Sequence, residues 1–197
     1  MTLYGIKKEK DQIRKKCLQI RRGIPKDIKA GLERKICENI IGSVSYKYYD
    51  TLLLYAALYD EPDLSYLAEK ALSDGKRVAY PRCIPGSREM RFHYITDLSR
   101  LGAGSFGIME PPEELPVYDT EAPSCSVCFI PAVAADRRGY RVGYGGGYYD
   151  RFLSGFNGTL AAVIFSDFLF DHVPHGKFDL QADYTVTEGG ILTFVKN

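Results

Sequence analysis

The chain has 197 residues, 45% hydrophobic and 13% aromatic, which is enough apolar material for a sizeable core and excludes disorder along its whole length. A formal net charge of +1 argues against a generic nucleic-acid binder, although residues 1–36 carry twelve Lys/Arg against four Asp/Glu. No run of about 18 apolar residues marks a membrane span, and the start MTLYGIKKEKDQ has no signal-peptide core. A cytoplasmic protein is therefore expected, with no membrane or nucleic-acid partner and no evident obligate protein partner. The five cysteines are scattered except for CSVC at 125–128, which suits a reducing compartment.

Taken in chain order, periodicity predicts a helix over 7–22, with Ile13, Cys17 and Ile20 on one face and Gly23 and Pro25 as breakers. A second helix is expected over 27–42, with Ile28, Leu32, Ile36 and Ile40 inward and Asp27 as N-cap. The apolar run 50–58 reads as a buried strand, PDLSYLAEKALSDGK as a helix closed by Gly75, and RVAYPR as the next strand. Residues 89–95 alternate as a half-buried strand, and 97–124 is rich in Gly and Pro and reads as loop. VCFIPAVAA is expected to be one buried strand ending at Asp136. YYDRFL opens a helix, LAAVIFS is a strand, and YTVTEGGILTFV closes the sheet. Strands alternating with helices predict an α/β fold: a single three-layer domain over 1–197 with a largely parallel central sheet flanked by helices.

The segment RVGYGGGYYDRF at 141–152 crowds glycine, tyrosine and arginine together. It follows a buried strand and precedes a helix start. In open α/β sheets that is where ligands bind, and successive glycine N–H groups beside a helix N-terminus can cradle an anion. It is not a Walker loop. A plain glycine-rich turn and an unfolded RNA-binding tract are the competing readings.

The segment RVGYGGGYYDR is similar to the signature of the 5-formyltetrahydrofolate cyclo-ligases, also called methenyltetrahydrofolate synthetases. The likeness extends to FIPAVAADRRGY before it, FGIMEPP at 106–112, KDQIR at 10–14, YDEPD at 59–63 and FDLQADYTVTE at 178–188. Ala135 departs from the pattern, which usually has an aromatic residue there. The resemblance implies an enzyme that cyclises 5-formyltetrahydrofolate to 5,10-methenyltetrahydrofolate, using ATP as co-substrate and Mg²⁺, and releasing ADP and phosphate. Its substrates are its expected partners.

On the same resemblance, Lys10, Arg14 and Arg141 contact ATP phosphates, with Gly143, Tyr144, Gly145, Gly146, Gly147, Tyr148 and Tyr149 around the nucleotide. Lys10, Arg141 and Tyr149 are the expected catalytic contacts. Ala56, Glu61 and the loop from Tyr144 to Tyr148 face the folate, and Asp150 and Asp183 hold the metal. Each has an ordinary alternative: solvated cations for Lys10 and Arg14, core rings for the tyrosines, helix or turn acids for Glu61, Asp150 and Asp183. The remaining chemistry-bearing features are expected to be structural. CSVC lies in a strand, where positions three apart face opposite sides, HVPH at 172–175 lacks further ligands, and His93 sits in an alternating strand. A nucleotide-binding protein of the same fold with altered or lost folate chemistry is the remaining rival.

Overall fold

The computed structural model describes residues 3–121, 125–177 and 179–194. In chain order the helices and strands begin with α1 (Leu3–Arg21), α2 (Lys26–Ile41), α3 (Val44–Tyr48), β1 (Thr51–Leu53), α4 (Ser65–Ser73), β2 (Arg77–Cys83) and β3 (Met90–Ile95). The middle holds β4 (Gly102–Ala103), β5 (Met109–Glu110), β6 (Ser126–Pro131), β7 (Ala134–Asp136) and β8 (Arg141–Val142). The chain finishes with α5 (Tyr148–Leu153), β9 (Thr159–Val163), β10 (Leu169–Phe170), β11 (Tyr184–Thr187) and β12 (Gly190–Thr193).

Seven strands form the main sheet in the order β12-β11-β9-β6-β1-β2-β3. The five inner strands are parallel, and an antiparallel strand closes each edge. Because side chains alternate along a strand, successive residues enter two separate cores. Leu52, Val127, Phe129, Ala161 and Val163 face one buried cluster, which α2 and α4 complete. Leu53, Cys128, Ile130, Leu160 and Ala162 face the other, covered by Leu153, Phe152 and Phe156. The α/β architecture with helices on both faces of a mostly parallel sheet is thus as the sequence predicts.

After β1 the chain crosses through α4 to β2 on one side, whereas β6 returns to pair with β1 on the other. Strand order therefore reverses between β1 and β6, and a crevice opens beyond their C-terminal ends. The loop that follows β1 and the segment that follows β6 both lead away from this crevice.

Several local expectations are corrected. The run VCFIPAVAA is not one strand: β6 stays in the main sheet, while β7 turns away to pair with β8 and β10 in a separate small sheet. Asp136 fixes that turn. Fully buried, it accepts from the Arg138 and Tyr140 amides on one oxygen, and from the Val173 amide and the Arg138 guanidinium on the other. The strand predicted over 50–58 ends at Leu53, where the chain leaves the sheet for the crevice. Ile20 and Ile28, expected inward, are 51% and 55% exposed. Pro25, not Asp27, precedes the first turn of α2, with Asp27 inside that turn. Helix α3 was not predicted; Ser43 caps it by accepting from the Tyr46 amide.

Candidate active site

Helix α1 turns an unusual face inward. Lys10, Arg14, Cys17 and Arg21 fall at spacings of four, three and four, which places them in one stripe. Cys17 and Arg21 are buried, while Ile20 beside them is in solvent. The stripe meets the small sheet and the glycine loop, and Cys17 within it joins the buried apolar cluster. Arg14 Nε donates to the Gly143 carbonyl at 2.8 Å, and its guanidinium also pairs with Asp11. Lys10 Nζ is joined to Asp179 at 2.5 Å.

The glycine loop is ordered backbone. Gly145 has φ +95° and Gly147 φ +72°, a left-handed region that favours glycine. Gly147 also precedes the first turn of α5. A Cβ placed on Gly146 would come within 2.9 Å of the Tyr148 ring, one on Gly145 would touch the Arg14 guanidinium at 3.5 Å, and one on Gly143 would meet nothing within 4 Å. The loop thus needs glycine at 145 and 147 for conformation, and at 146 for closeness to Tyr148. At 143 no contact within the protein requires it.

Arg141, buried at the start of the loop, ties two segments together. Its guanidinium donates to Asp150 Oδ1 at 2.7 Å and to the Leu180 carbonyl at 3.1 Å. Leu180 follows Asp179, so the two bonds and the Lys10–Asp179 pair connect Lys10, Asp179, Arg141 and Asp150 in one chain of contacts. Asp179 is a residue that sequence reasoning missed. Asp183, expected beside Asp150, accepts from the Leu160 amide through Oδ2 at 2.7 Å, and its own amide donates to the Leu160 carbonyl at 2.8 Å, a strand-end anchor for β9.

On the β1 side, Glu61 is 3% exposed. Its Oε2 accepts from the Leu58 amide at 2.7 Å, closing a short loop. Burial pushes its carboxyl up to about 7, with Asp60 adding to the rise and the Leu58 amide and Arg21 opposing it. Tyr144 reaches over from the glycine loop and donates to Asp60 Oδ2 at 3.1 Å. Burial raises the Tyr144 and Tyr149 hydroxyls, so both stay neutral and suit hydrogen bonding better than proton abstraction. Tyr149 packs against both buried clusters, Ala56 packs half-buried beside the core, and Tyr148 lies edge-on to Phe106, with ring centroids 5.9 Å apart.

The discounted features are built into the structure. Cys125 is exposed just before β6, and Cys128 is buried within it. His93 Nδ1 lies 2.9 Å from the Leu115 carbonyl, and His175 stacks on Tyr140 with centroids 3.7 Å apart. Phe178, part of one resembling segment, lies outside the described residues. Among the described residues no helix is long and apolar enough to cross a membrane.

The Arg21 side chain was visible in the sequence only as one of twelve cations. The signal that finds it is the stripe itself, which continues the Lys10–Arg14 spacing through a cysteine to a second arginine.

Known proteins resemble this chain along most of its length. The "5-formyltetrahydrofolate cyclo-ligase" of Mycolicibacterium smegmatis is 29% identical over 186 residues, spanning 91% of this chain and 94% of its own. The NMR structure of the 5,10-methenyltetrahydrofolate synthetase of Aquifex aeolicus superposes with a TM-score of 0.84 at 30% identity, covering 95% of this chain and 94% of that one. A synthetase structure from Mycoplasma pneumoniae shares the fold at a TM-score of 0.72 and 22% identity. The sequence pattern of the 5-formyltetrahydrofolate cyclo-ligase family matches residues 6–188. This chain belongs to that family of ligases, and so to the enzymes that make methenyltetrahydrofolate.

Proposed function

We propose that the chain closes 5-formyltetrahydrofolate to 5,10-methenyltetrahydrofolate at the expense of ATP. One observation carries the spatial reading: adjacent residues of the glycine loop touch opposite walls of the crevice. The Gly143 carbonyl meets Arg14 on the cationic wall, and the Tyr144 hydroxyl meets Asp60, next to Glu61, on the other. A triphosphate lying along Lys10, Arg14, Arg141 and the amides of Gly143–Gly147 then ends where a folate held by Glu61 begins.

The N5-formyl group is an amide whose oxygen is a poor leaving group. Transfer of the γ-phosphoryl group to that oxygen releases ADP and turns the oxygen into a leaving phosphate. N10 then attacks the formyl carbon, its proton is lost to solvent, and phosphate departs with the former formyl oxygen. No protein nucleophile is needed. The chain's contribution is alignment, cationic stabilisation of the moving phosphoryl charge and exclusion of water. Lys10 and Arg141 face the phosphates, Tyr149 is a neutral donor, and Glu61, with Ala56 beside it, accepts from the pterin N–H groups.

A magnesium ion would be held by Asp150 together with phosphate oxygens and water, and it would supply charge neutralisation along the phosphates. An oxygen-only set of this kind suits a hard cation. For a second carboxylate, the resemblance favours Asp183. The contacts favour Asp179, which sits against Lys10, over Asp183, which is engaged with the backbone of β9.

The test is the absorbance of methenyltetrahydrofolate formed from 5-formyltetrahydrofolate, with and without MgATP, together with stoichiometric ADP. Product only with MgATP is expected. Binding of ATP without product would leave a nucleotide-binding protein that has lost its folate chemistry.

A further inference from the structure

Among the described residues, the last residue of α1 is the largest nearly fully buried side chain. Arg21 is 2% exposed, and among the described residues it makes no carboxylate ion pair. A buried cation without a contacting anion is costly. The structure must therefore meet its charge with dipoles and more distant carboxylates. It meets it first with main-chain carbonyls. One terminal nitrogen donates to Ala132 O at 2.6 Å and to Val133 O at 2.9 Å, at the bend where β6 ends. The other makes a longer contact, 3.4 Å, with Asp60 O. The guanidinium lies over the Phe168 ring, 4.7 Å from its centroid, and Nε is buried with no partner among the described residues.

Those carbonyls belong to the two sides of the crevice. Ala132 and Val133 follow β6, and Asp60 precedes Glu61 in the loop that follows β1. One planar fork thus spans the point where strand order reverses, which a lysine ammonium on a flexible stem cannot reproduce. The same cation lies near the one carboxylate that the folate reading needs in anionic form.

We infer that Arg21 is a positioning residue for folate recognition: its guanidinium fixes the 58–61 loop, and with it Glu61, against the end of β6. The groups facing Glu61 are Arg21 from α1, Asp60 from its own loop, Tyr55 after β1, Tyr144 from the glycine loop and Tyr149 from α5. Only Arg21 among them is cationic. Its field opposes the burial that raises the Glu61 carboxyl, so removing it raises that carboxyl further.

The inference rests on the proposed folate chemistry, and two variants of the full chain test it. Titration calorimetry with 5-formyltetrahydrofolate over about pH 6 to 9 should show parent affinity rising as pH passes through about 7, where Glu61 ionises. Arg21→Met should move that inflection upward by about one pH unit and weaken folate binding about tenfold at neutral pH. Arg21→Lys keeps the charge but loses the fork. Its inflection should stay near that of the parent while KM for folate rises severalfold, with kcat and ATP affinity little changed. An unmoved inflection in folded Arg21→Met overturns the inference, and so do folate and ATP affinities that fall in equal proportion. If Arg21→Met does not fold, Arg21→Lys decides: a folate-selective loss supports the role, and an equal loss or none removes it. A parent chain that makes no methenyltetrahydrofolate with MgATP defeats the functional reading itself, whereas an active parent with unaltered variants defeats only the role of Arg21.

Discussion

Arg141 and Asp150 are joined at 2.7 Å, a guanidinium whose side chain is 6% exposed bonded to a carboxylate that is 47% exposed. The arrangement is asymmetric. The cation is fixed by a second bond to Leu180, and the carboxylate has an open side toward solvent. A phosphate chain with its metal can approach that open side while Arg141 stays in place.

Asp150→Asn preserves the shape and an acceptor for Arg141 but removes the charge. Turnover with MgATP should fall roughly 100-fold, because phosphoryl transfer depends on neutralising charge along the phosphates. The thermal midpoint without ligand should change little. Raised Mg²⁺ should restore activity in part. Turnover like that of the parent at ordinary Mg²⁺ would remove Asp150 from the metal site.

Asp179 and Asp183 should separate under the same substitution. Asp179→Asn breaks the pair with Lys10 and should reduce turnover and MgATP affinity with a modest effect on melting. Asp183→Asn disturbs the carboxylate bond to the Leu160 amide, and should lower the midpoint more than it lowers activity per folded molecule. The opposite pattern, with activity following Asp183, would return the metal role to that residue.

For Glu61 the sign of the pH effect follows from burial. Its carboxyl titrates near 7 in the folded chain, above the ordinary carboxylate range. The folded state therefore holds a proton that the unfolded state has released, and this residue's contribution to stability declines as pH rises toward 7 and stays lost above it. Glu61→Gln removes that penalty and keeps an acceptor for the Leu58 amide. Its midpoint at pH values above about 7 should equal or exceed that of the parent, while affinity for 5-formyltetrahydrofolate falls by roughly 1.5–3 kcal/mol and ATP affinity holds. Melting curves beside calorimetry check both halves. A drop in midpoint with folate affinity intact would make Glu61 a structural acid.

Gly143 gives the cleanest test of the loop. Its backbone is not left-handed, and a Cβ there meets nothing within 4 Å of the protein. Gly143→Ala should therefore melt like the parent. If a phosphate chain occupies that space, ATP affinity falls by about tenfold or more. Gly146→Val is a blunter probe, because its side chain first displaces the Tyr148 ring. Unaltered ATP affinity in Gly143→Ala would take the phosphates elsewhere.

Legibility from sequence followed the kind of interaction. The inner strands announced themselves because burial on both faces demands continuous apolar runs, as in β6 and β9. The glycine loop announced itself because left-handed backbone at 145 and 147 admits few other residues. The division of VCFIPAVAA between two sheets did not, since Pro131–Ala134 is as apolar as the strands it separates, and the turn is set by donors to Asp136 from residues 138, 140 and 173. Arg21 and Asp179 were equally hidden. Apolar periodicity rewards Ile20, yet the face that enters the fold carries Lys10, Arg14 and Arg21 beside Cys17, because it meets carbonyls and a carboxylate as well as hydrocarbon. The resemblance implies roles that no period carries, and the contact between Asp179 and Lys10 is likewise absent from any sequence pattern.

Helix α1 docks on segments that lie far from it along the chain. Its inward face is held by Ala132, Val133, Gly143 and Asp179, which follow their partners in the chain by 111 to 169 residues. Until synthesis has passed the end of that span, the helix has no dock, and its cations face water. Closing so long a loop is among the slower events of folding. Nucleotide bound against Lys10, Arg14 and Arg141 would bridge these distant parts of the chain, so amide exchange in α1 should slow when ATP is present, and a chain lacking α1 should keep its sheet yet ignore the nucleotide.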